Sequence, residues 1–533
     1  MLRIIIADLL ICALDIVFWS GLLLIINYFV SGSAKVRLPF GVWGDNSKVL
    51  VASAFLLLYC LKNWLGYLAT AAANNFFYGV ASRLSTEKMQ GYLDDDYSGF
   101  VHTDSSVQIR RISQQPIEFS NYILTNIQQV FTQSLLIVFT IVAICLYRPM
   151  LFMCLFLILL PPVFLLGFVI KKQLSKVRTD IKTTSQKAIQ HLQESLSGFV
   201  ESNIYKKKAF FSGRYQQKQQ QLNQNIATQQ NIQALPPRLI EIFAIIGFFL
   251  LIMLNTMSSA GPLALVDIGV FVAASYKVIP GLVKILNSLG QIKTYLFVIP
   301  DLKTPSPTLS LKTKDAEIRN ISFNNISFGF KNTLISNLNF ELLPGNFAGI
   351  AGASGKGKTT IVNLLLGFLE HTSGGIFING KSVDAIQRQA FFNRISYVKQ
   401  QPFFINDAIL KNITLSDDAV DVAKLSEVVE FCGISSMLNY EGLEKAITEN
   451  GKNLSGGQRK RLMLARALYH DFDLLILDEP FSELDERTEQ EMLVKLRALA
   501  DKGKMILMIT HNQTSLGYCD KVIAVQQVEV ETA

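Results

Sequence analysis

Gly352-Ala353-Ser354-Gly355-Lys356-Gly357-Lys358-Thr359-Thr360, read together with Leu474-Leu475-Ile476-Leu477-Asp478-Glu479-Pro480, decides the fold of the C-terminal half of this chain. The first stretch fits G-x-x-x-x-G-K-[ST], a loop whose glycines let backbone N–H groups converge on phosphate oxygens while Lys358 reaches the β and γ phosphates. Thr359 offers a hydroxyl to Mg²⁺. Upstream, Asn346-Phe347-Ala348-Gly349-Ile350-Ala351 reads as a short buried strand. Downstream, Ile361-Val362-Asn363-Leu364-Leu365-Leu366 reads as a helix with one apolar face. The loop thus falls between a strand and a helix N-terminus, where free N–H groups and the helix dipole both favour an anion. Four aliphatic residues before Asp478 predict a second buried parallel strand, delivering that carboxylate to its C-terminal edge beside the phosphates. Asp478 is expected to hold Mg²⁺ through water. Glu479, one residue on, is expected to accept a proton from, or orient, the water that attacks the γ phosphate.

A Gly-rich turn alone is often only a helix entry. Leu454-Ser455-Gly456-Gly457-Gln458, lying between the two stretches, removes that reading, because the whole series resembles the nucleotide-binding domain of ATP-binding cassette (ABC) proteins, an α/β P-loop NTPase. The resemblance implies ATP and Mg²⁺ as cofactors and carries over further positions. Phe330 fits the aromatic that stacks on adenine; the family usually has tyrosine there, and either ring stacks. Gln400, in Ser396-Tyr397-Val398-Lys399-Gln400, fits the glutamine that touches Mg²⁺ and senses the membrane domain. Glu449 fits a loop that contacts the coupling helices. Ser482-Glu483-Leu484-Asp485 fits the segment that crosses to the partner's site, with Glu483 where the family more often has alanine. His511, after Ile509-Thr510, fits the histidine that bonds the γ phosphate. In this family the signature caps ATP held by a second cassette. A chain with one cassette therefore resembles a half-transporter whose dimer sandwiches two ATP molecules between head-to-tail domains. Both sites of a homodimer are intact; a heterodimer is compatible with the same sequence.

What precedes the cassette decides what the ATP is for. Of the 533 residues, 50% are apolar and 17% charged. Apolar runs at 4–30, 48–75, 122–147, 149–171, 238–258 and 264–290 each approach or exceed the roughly 20 residues that span a bilayer. We read these as six membrane helices. Two connections are tight turns, Tyr147-Arg148-Pro149 and Met257 to Pro262. Two others, 76–121 and 171–237, are too polar for lipid yet helical in pattern, with Ile189, Leu192, Leu196 and Val200 at helical spacing. They resemble the intracellular helix extensions of ABC exporters, with coupling helices near Tyr92–Phe100 and Lys207–Tyr215. The second carries Lys171, Lys172, Lys176, Arg178, Lys182, Lys187 and Lys206-Lys207-Lys208, an excess that places it and the cassette in the cytoplasm. Lys35, Arg37 and Lys48 weaken that asymmetry without reversing it. The net charge of +8 then has a topological explanation, and no aromatic RNA or DNA motif accompanies the basic stretches, so nucleic acid is not an expected partner.

The first 30 residues carry Asp8 and Asp15 and only Arg3 ahead of the apolar run, so we read a membrane helix rather than a cleaved signal. The six cysteines show no C-x-x-C and no metal spacing. Pro305 and Pro307 mark a linker at 301–317 between a membrane domain, 1–300, and the cassette, 318–533. Four ionisable residues stand inside spans: Asp15, Lys62, Glu241 and Lys277, each roughly 20 to 25 Å deep. They either pair, Asp15 with Lys62 for instance, or meet cargo. Leu235-Pro236-Pro237-Arg238-Leu239-Ile240-Glu241 is similar to a helix entry of lipid-linked oligosaccharide flippases. The function expected is an ATP-driven exporter or flippase for an amphiphile (lipid, lipid-linked glycan or peptide), acting by alternating access in a cell membrane, the bacterial cytoplasmic one by expectation. The alternative is a non-transporting relative that gates a channel or regulates a membrane partner.

Overall fold

The computed structural model describes residues 2–30, 48–94, 104–147, 177, 180–257, 265–302, 316–330, 332–353, 355, 357–437, 442–448 and 451–525. The run at 149–171, most of the linker, Ser354, Lys356, Glu449 and most of Tyr92–Phe100 lie outside them. The chain forms two compact units: Met1–Asp95 with His102–Thr308, and Asp96–Val101 with Leu309–Ala533.

The first unit is helical. Its long helices are α1 (Leu2–Val30), α2 (Lys48–Leu93), α3 (Thr125–Tyr147), α4 (Lys208–Met257) and α5 (Leu265–Tyr295). The other five apolar runs read from the sequence overlap these helices, the third of them beginning in the π-helical turn Phe119–Leu124. Among the described residues, Ser105–Val142 is long and apolar enough to cross a membrane. At about 1.5 Å per residue the 46 residues of α2 and 50 of α4 extend roughly 69 and 75 Å, more than twice the hydrocarbon thickness. Their polar continuations are therefore helix rather than loop. The coupling segment expected at Lys207–Tyr215 is corrected: the separate short helix is Phe199–Ile204, and the chain reverses at 205–207, with Lys206 at φ 53°. Gly198 ends the helix at 180–197, where a Cβ would come 3.0 Å from the Glu194 carbonyl oxygen, and Lys208 begins α4.

Polar side chains inside this unit tie its helices together. Asp8 accepts from Gln128 (2.7 Å) and Thr132 (3.0 Å), tying α1 to α3. Gln229 and Gln233 of α4 bond Gln291 of α5 at 3.0 and 2.8 Å. Arg110, fully buried in the π-turn Arg110–Gln114, pairs with Glu118 at 3.1 Å and lies 5.4 Å from the Phe297 ring. Of the four ionisable residues, Lys62 and Asp15 form an ion pair between α2 and α1. Glu241 is exposed on α4, and Lys277 stands in α5 with its side chain outside the described residues.

The second unit has two sheets. One is antiparallel, in the order β2-β1-β4-β5, from β1 (Ile321–Gly329), β2 (Thr333–Leu342), β4 (Ser373–Ile378) and β5 (Lys381–Ser382). The other is parallel, β6-β7-β8-β3-β9, from β3 (Phe347–Ala351), β6 (Ile395–Val398), β7 (Leu474–Asp478), β8 (Met505–Ile509) and β9 (Lys521–Ala524). Every residue of β7 and β8 is buried. Leu474 and Ile476 enter one core with Ile350 and Ile509, while Leu475 and Leu477 enter another with Phe404 and Leu462. Cores on both faces are why these strands read as unbroken aliphatic runs.

Candidate functional site

In the parallel sheet Val398 pairs with Leu477, Asp478 with Ile509, and Ile509 with Ile350. The strand ends are level, so the four segments that follow β6, β7, β8 and β3 leave the sheet along one edge, the place where open α/β sheets bind ligands. Those segments carry Gln400, Glu479, His511 and the phosphate loop. Gly355 and Gly357 have φ of 80° and 88°, a region that favours glycine, and Gly357 is the N-cap of α6 (Lys358–Leu365). A Cβ on Gly355 would meet nothing within 4 Å, so the loop leaves an open cradle at the helix N-terminus. Lys358 is buried and curls over the loop, its Nζ donating to the carbonyls of Gly352 (2.7 Å) and Ala353 (3.2 Å).

Thr359 Oγ1 donates to Asp478 Oδ2 at 3.1 Å. Burial pushes the Asp478 carboxyl above the usual carboxylate range, the Thr359 hydrogen bond draws it back, and Lys460 and Lys358 act in the same sense. A hydroxyl and a carboxylate side by side form an oxygen donor set of the kind Mg²⁺ takes, so the residues fit that ion as they fit a nucleotide phosphate. Glu479 has φ 48°, a strained backbone for a residue with a Cβ and one that concentrates at functional sites. It is held there by its N–H bonding the Ile509 carbonyl (3.0 Å) and by its own carbonyl accepting from Lys460 Nζ (3.0 Å) and Ser482 Oγ (3.3 Å). Its carboxylate accepts from Gln400 Nε2 at 2.8 Å and lies 3.6 Å from His511 Nδ1. Glu479 is thereby bracketed by two side chains that arrive from different strands.

The remaining residues read from the sequence are placed as follows. Ser455 and Gln458 form a capping box at the start of α7 (Gly456–Tyr469), with bonds of 2.9 and 3.3 Å. Gly456 packs so closely that a Cβ would come 1.8 Å from Glu483 Oε2, and Glu483 is paired with Arg459 at 3.2 Å. Asp485 caps α8 (Glu486–Asp501) by accepting from Thr488. Thr360 lies in the first turn of α6, and Phe330 is exposed past the end of β1, edge-on to Phe328 at 5.1 Å. Sequence reasoning missed Lys460, whose Nζ also donates to the Gln400 carbonyl at 2.9 Å. The signal was available: 460 shares a helical stripe with Met463, Leu464, Ala467 and Leu468, all buried. A lysine on an apolar face needs an internal partner.

Residues 1–275 match the family described as the ABC transporter transmembrane region, and residues 335–482 match the ABC transporter family. The chain belongs to the ABC transporters. It is a multi-pass membrane protein carrying an ABC transmembrane region followed by an ATP-binding cassette. A "Probable ABC transporter ATP-binding/permease protein" of Haemophilus influenzae is 30% identical over 284 residues, 52% of this chain and 48% of that protein. A putative export ATP-binding/permease protein of Rickettsia typhi is 32% identical over 40% of this chain and 38% of its own length. An "ATP-dependent lipid A-core flippase" of Cupriavidus metallidurans is 32% identical over 39% and 36%. The chain spans less than half the length of each of these relatives. Among solved structures, that of a bacterial Atm1-family ABC exporter with ATP bound superposes with a TM-score of 0.81, covering 98% of this ABC transporter and 93% of that chain at 18% identity. That likeness is one of fold.

Proposed function

We propose that this ABC transporter is one half of a dimeric, ATP-hydrolysing exporter or flippase that moves an amphiphilic substrate by alternating access, with its cassette in the cytoplasm. The observation that carries the reading is the edge-of-sheet arrangement in which Gln400 and His511 bracket Glu479 beside the Thr359–Asp478 pair. Bound ATP and Mg²⁺ supply the phosphoanhydride whose cleavage drives the cycle. Lys358 and the loop N–H groups would bind phosphate; Thr359, Asp478 and Gln400 would hold the metal; the exposed Phe330 ring offers a face for adenine. Glu479 would take a proton from, or orient, the attacking water, and His511 would hydrogen-bond the γ phosphate. Ser455, Gly456, Gly457, Gln458 and Asp485 serve the partner's nucleotide, so activity requires a second copy or a related half-transporter. The basic excess between 171 and 208 supports the inward orientation. The names of the relatives favour a lipid among the amphiphiles.

The test is reconstitution of the purified chain in liposomes containing a fluorescent lipid, with reductant added outside. ATP-dependent movement of the probe between leaflets, absent with a non-hydrolysable analogue, supports the proposal. ATP hydrolysis with no movement of lipid, lipid-linked glycan or peptide probes overturns the transport reading.

A further inference from the structure

We propose that Lys460 is a positioning residue for hydrolysis: from within α7 its ammonium fixes the main chain at both Gln400 and Glu479, and so sets the two side chains that meet at the site of water attack. The inference rests on the reading of Glu479 given above.

Three observations carry it. First, the ammonium is buried, at 3% residue exposure, and two of its three N–H groups are spent on main-chain carbonyls, those of Gln400 (2.9 Å) and Glu479 (3.0 Å). Second, both carbonyls lie just past the ends of β6 and β7, so neither is fixed by a place in the sheet's ladder. The lysine donates to both at once, sharing the Glu479 carbonyl with Ser482 Oγ (3.3 Å). Third, the peptide held at Glu479 is in a left-handed conformation that a non-glycine residue keeps only when its surroundings over-determine it. The side chains of the two held residues then bond each other at 2.8 Å. Lys460 thus closes a ring in which one cation sets two backbones and the two backbones set one carboxylate–amide contact.

The signature Ser455-Gly456-Gly457 opens the helix that carries Lys460. Movement of that helix therefore carries the ammonium, and with it the carbonyls on which the carboxylate depends. Displacement of a reacting group by about 1 Å costs on the order of 100-fold in rate.

The experiment compares Lys460→Met, Lys460→Gln and Glu479→Gln with the wild-type full-length chain in lipid nanodiscs. It measures steady-state ATPase kcat and KM, binding of a fluorescent ATP analogue, and melting temperature. Lys460→Met keeps the apolar stem and loses both hydrogen bonds. It is expected to lower kcat by roughly 10- to 100-fold with nucleotide affinity within about threefold, because the lost contacts act on the transition state. Lys460→Gln retains a donor for one carbonyl and is expected to recover part of that kcat. Unchanged kcat in a folded Lys460→Met, or equal losses in the Met and Gln variants, overturns the proposal. A series that loses the fold before it loses turnover does so too, since it identifies a strut. If Glu479→Gln itself hydrolyses ATP normally, it is the assignment of Glu479 that fails.

Discussion

Removing one partner of the Asp15–Lys62 pair is expected to destabilise the helical unit far more than removing both. The two side chains are only 15% and 10% exposed, so a charge that loses this pairing cannot reach water without moving the helices apart. An uncompensated buried charge typically costs about 3 to 5 kcal/mol, and a charge at mid-membrane about 2.5 to 3.5 kcal/mol on insertion scales. Lys62 also lies 5.3 Å from the Tyr59 ring centroid, a contact worth about 0.5 to 1 kcal/mol that only the lysine variant loses. We therefore expect about 3 kcal/mol for Asp15→Asn, somewhat more for Lys62→Met, and about 1 kcal/mol or less for the double variant, a coupling of about 5 kcal/mol or more. The assay is equilibrium unfolding in mixed micelles, reported by Trp64, two residues along α2 from Lys62. Additive single losses would refute the reasoning. Loss of substrate-stimulated ATPase in a double variant of full stability would assign the pair to cargo instead.

Three other outcomes follow from the cassette. Because burial holds the Asp478 carboxyl high, Mg²⁺ competes with a proton there. The apparent Mg²⁺ requirement of the ATPase is expected to rise as pH falls, with an acid limb above the ordinary carboxylate value of about 3.9; a flat requirement down to about pH 4 contradicts this. A Cβ at Gly349 would lie 2.5 Å from Leu516 Cδ2 and 3.1 Å from Cys519 Sγ, so Gly349→Ala is expected to cost about 1 to 3 kcal/mol by denaturant unfolding, without any change in the nucleotide contacts themselves. Mixing Lys358→Ala chains with Ser455→Arg chains is expected to restore one competent site per mixed dimer. Confirmed mixed dimers with no recovery of ATPase would rule out the head-to-tail arrangement.

The parts of this molecule legible in the sequence are those whose chemistry dictates neighbours along the chain. Phosphate loop, strand and helix had to be adjacent, and β3 and α6 flank the loop where the residues said they would. The buried strand before Asp478 was equally plain, because a strand covered on both faces admits no polar residue. What was hidden depends on partners far apart in sequence. Lys460 reaches back 60 residues to Gln400, and nothing local announces which carbonyls will accept from it. Glu483 announced itself only as a departure from the family pattern; its contact with Gly456 required the fold. In the helical unit the apolar runs located helices but not their ends. The reversal at 205–207 turns on a positive φ at Lys206, a residue type that does not announce a turn.

The central claim, that water activation at Glu479 drives transport, is tested most directly by comparing Glu479→Gln with wild type in the same proteoliposomes. ATPase and probe-lipid movement are followed in parallel with binding of a fluorescent ATP analogue. The amide keeps the shape of the side chain but cannot take a proton, so turnover and lipid movement are expected to fall together by on the order of 100-fold or more while nucleotide binding persists. Hydrolysis and lipid movement near wild-type rates in Glu479→Gln would contradict the account.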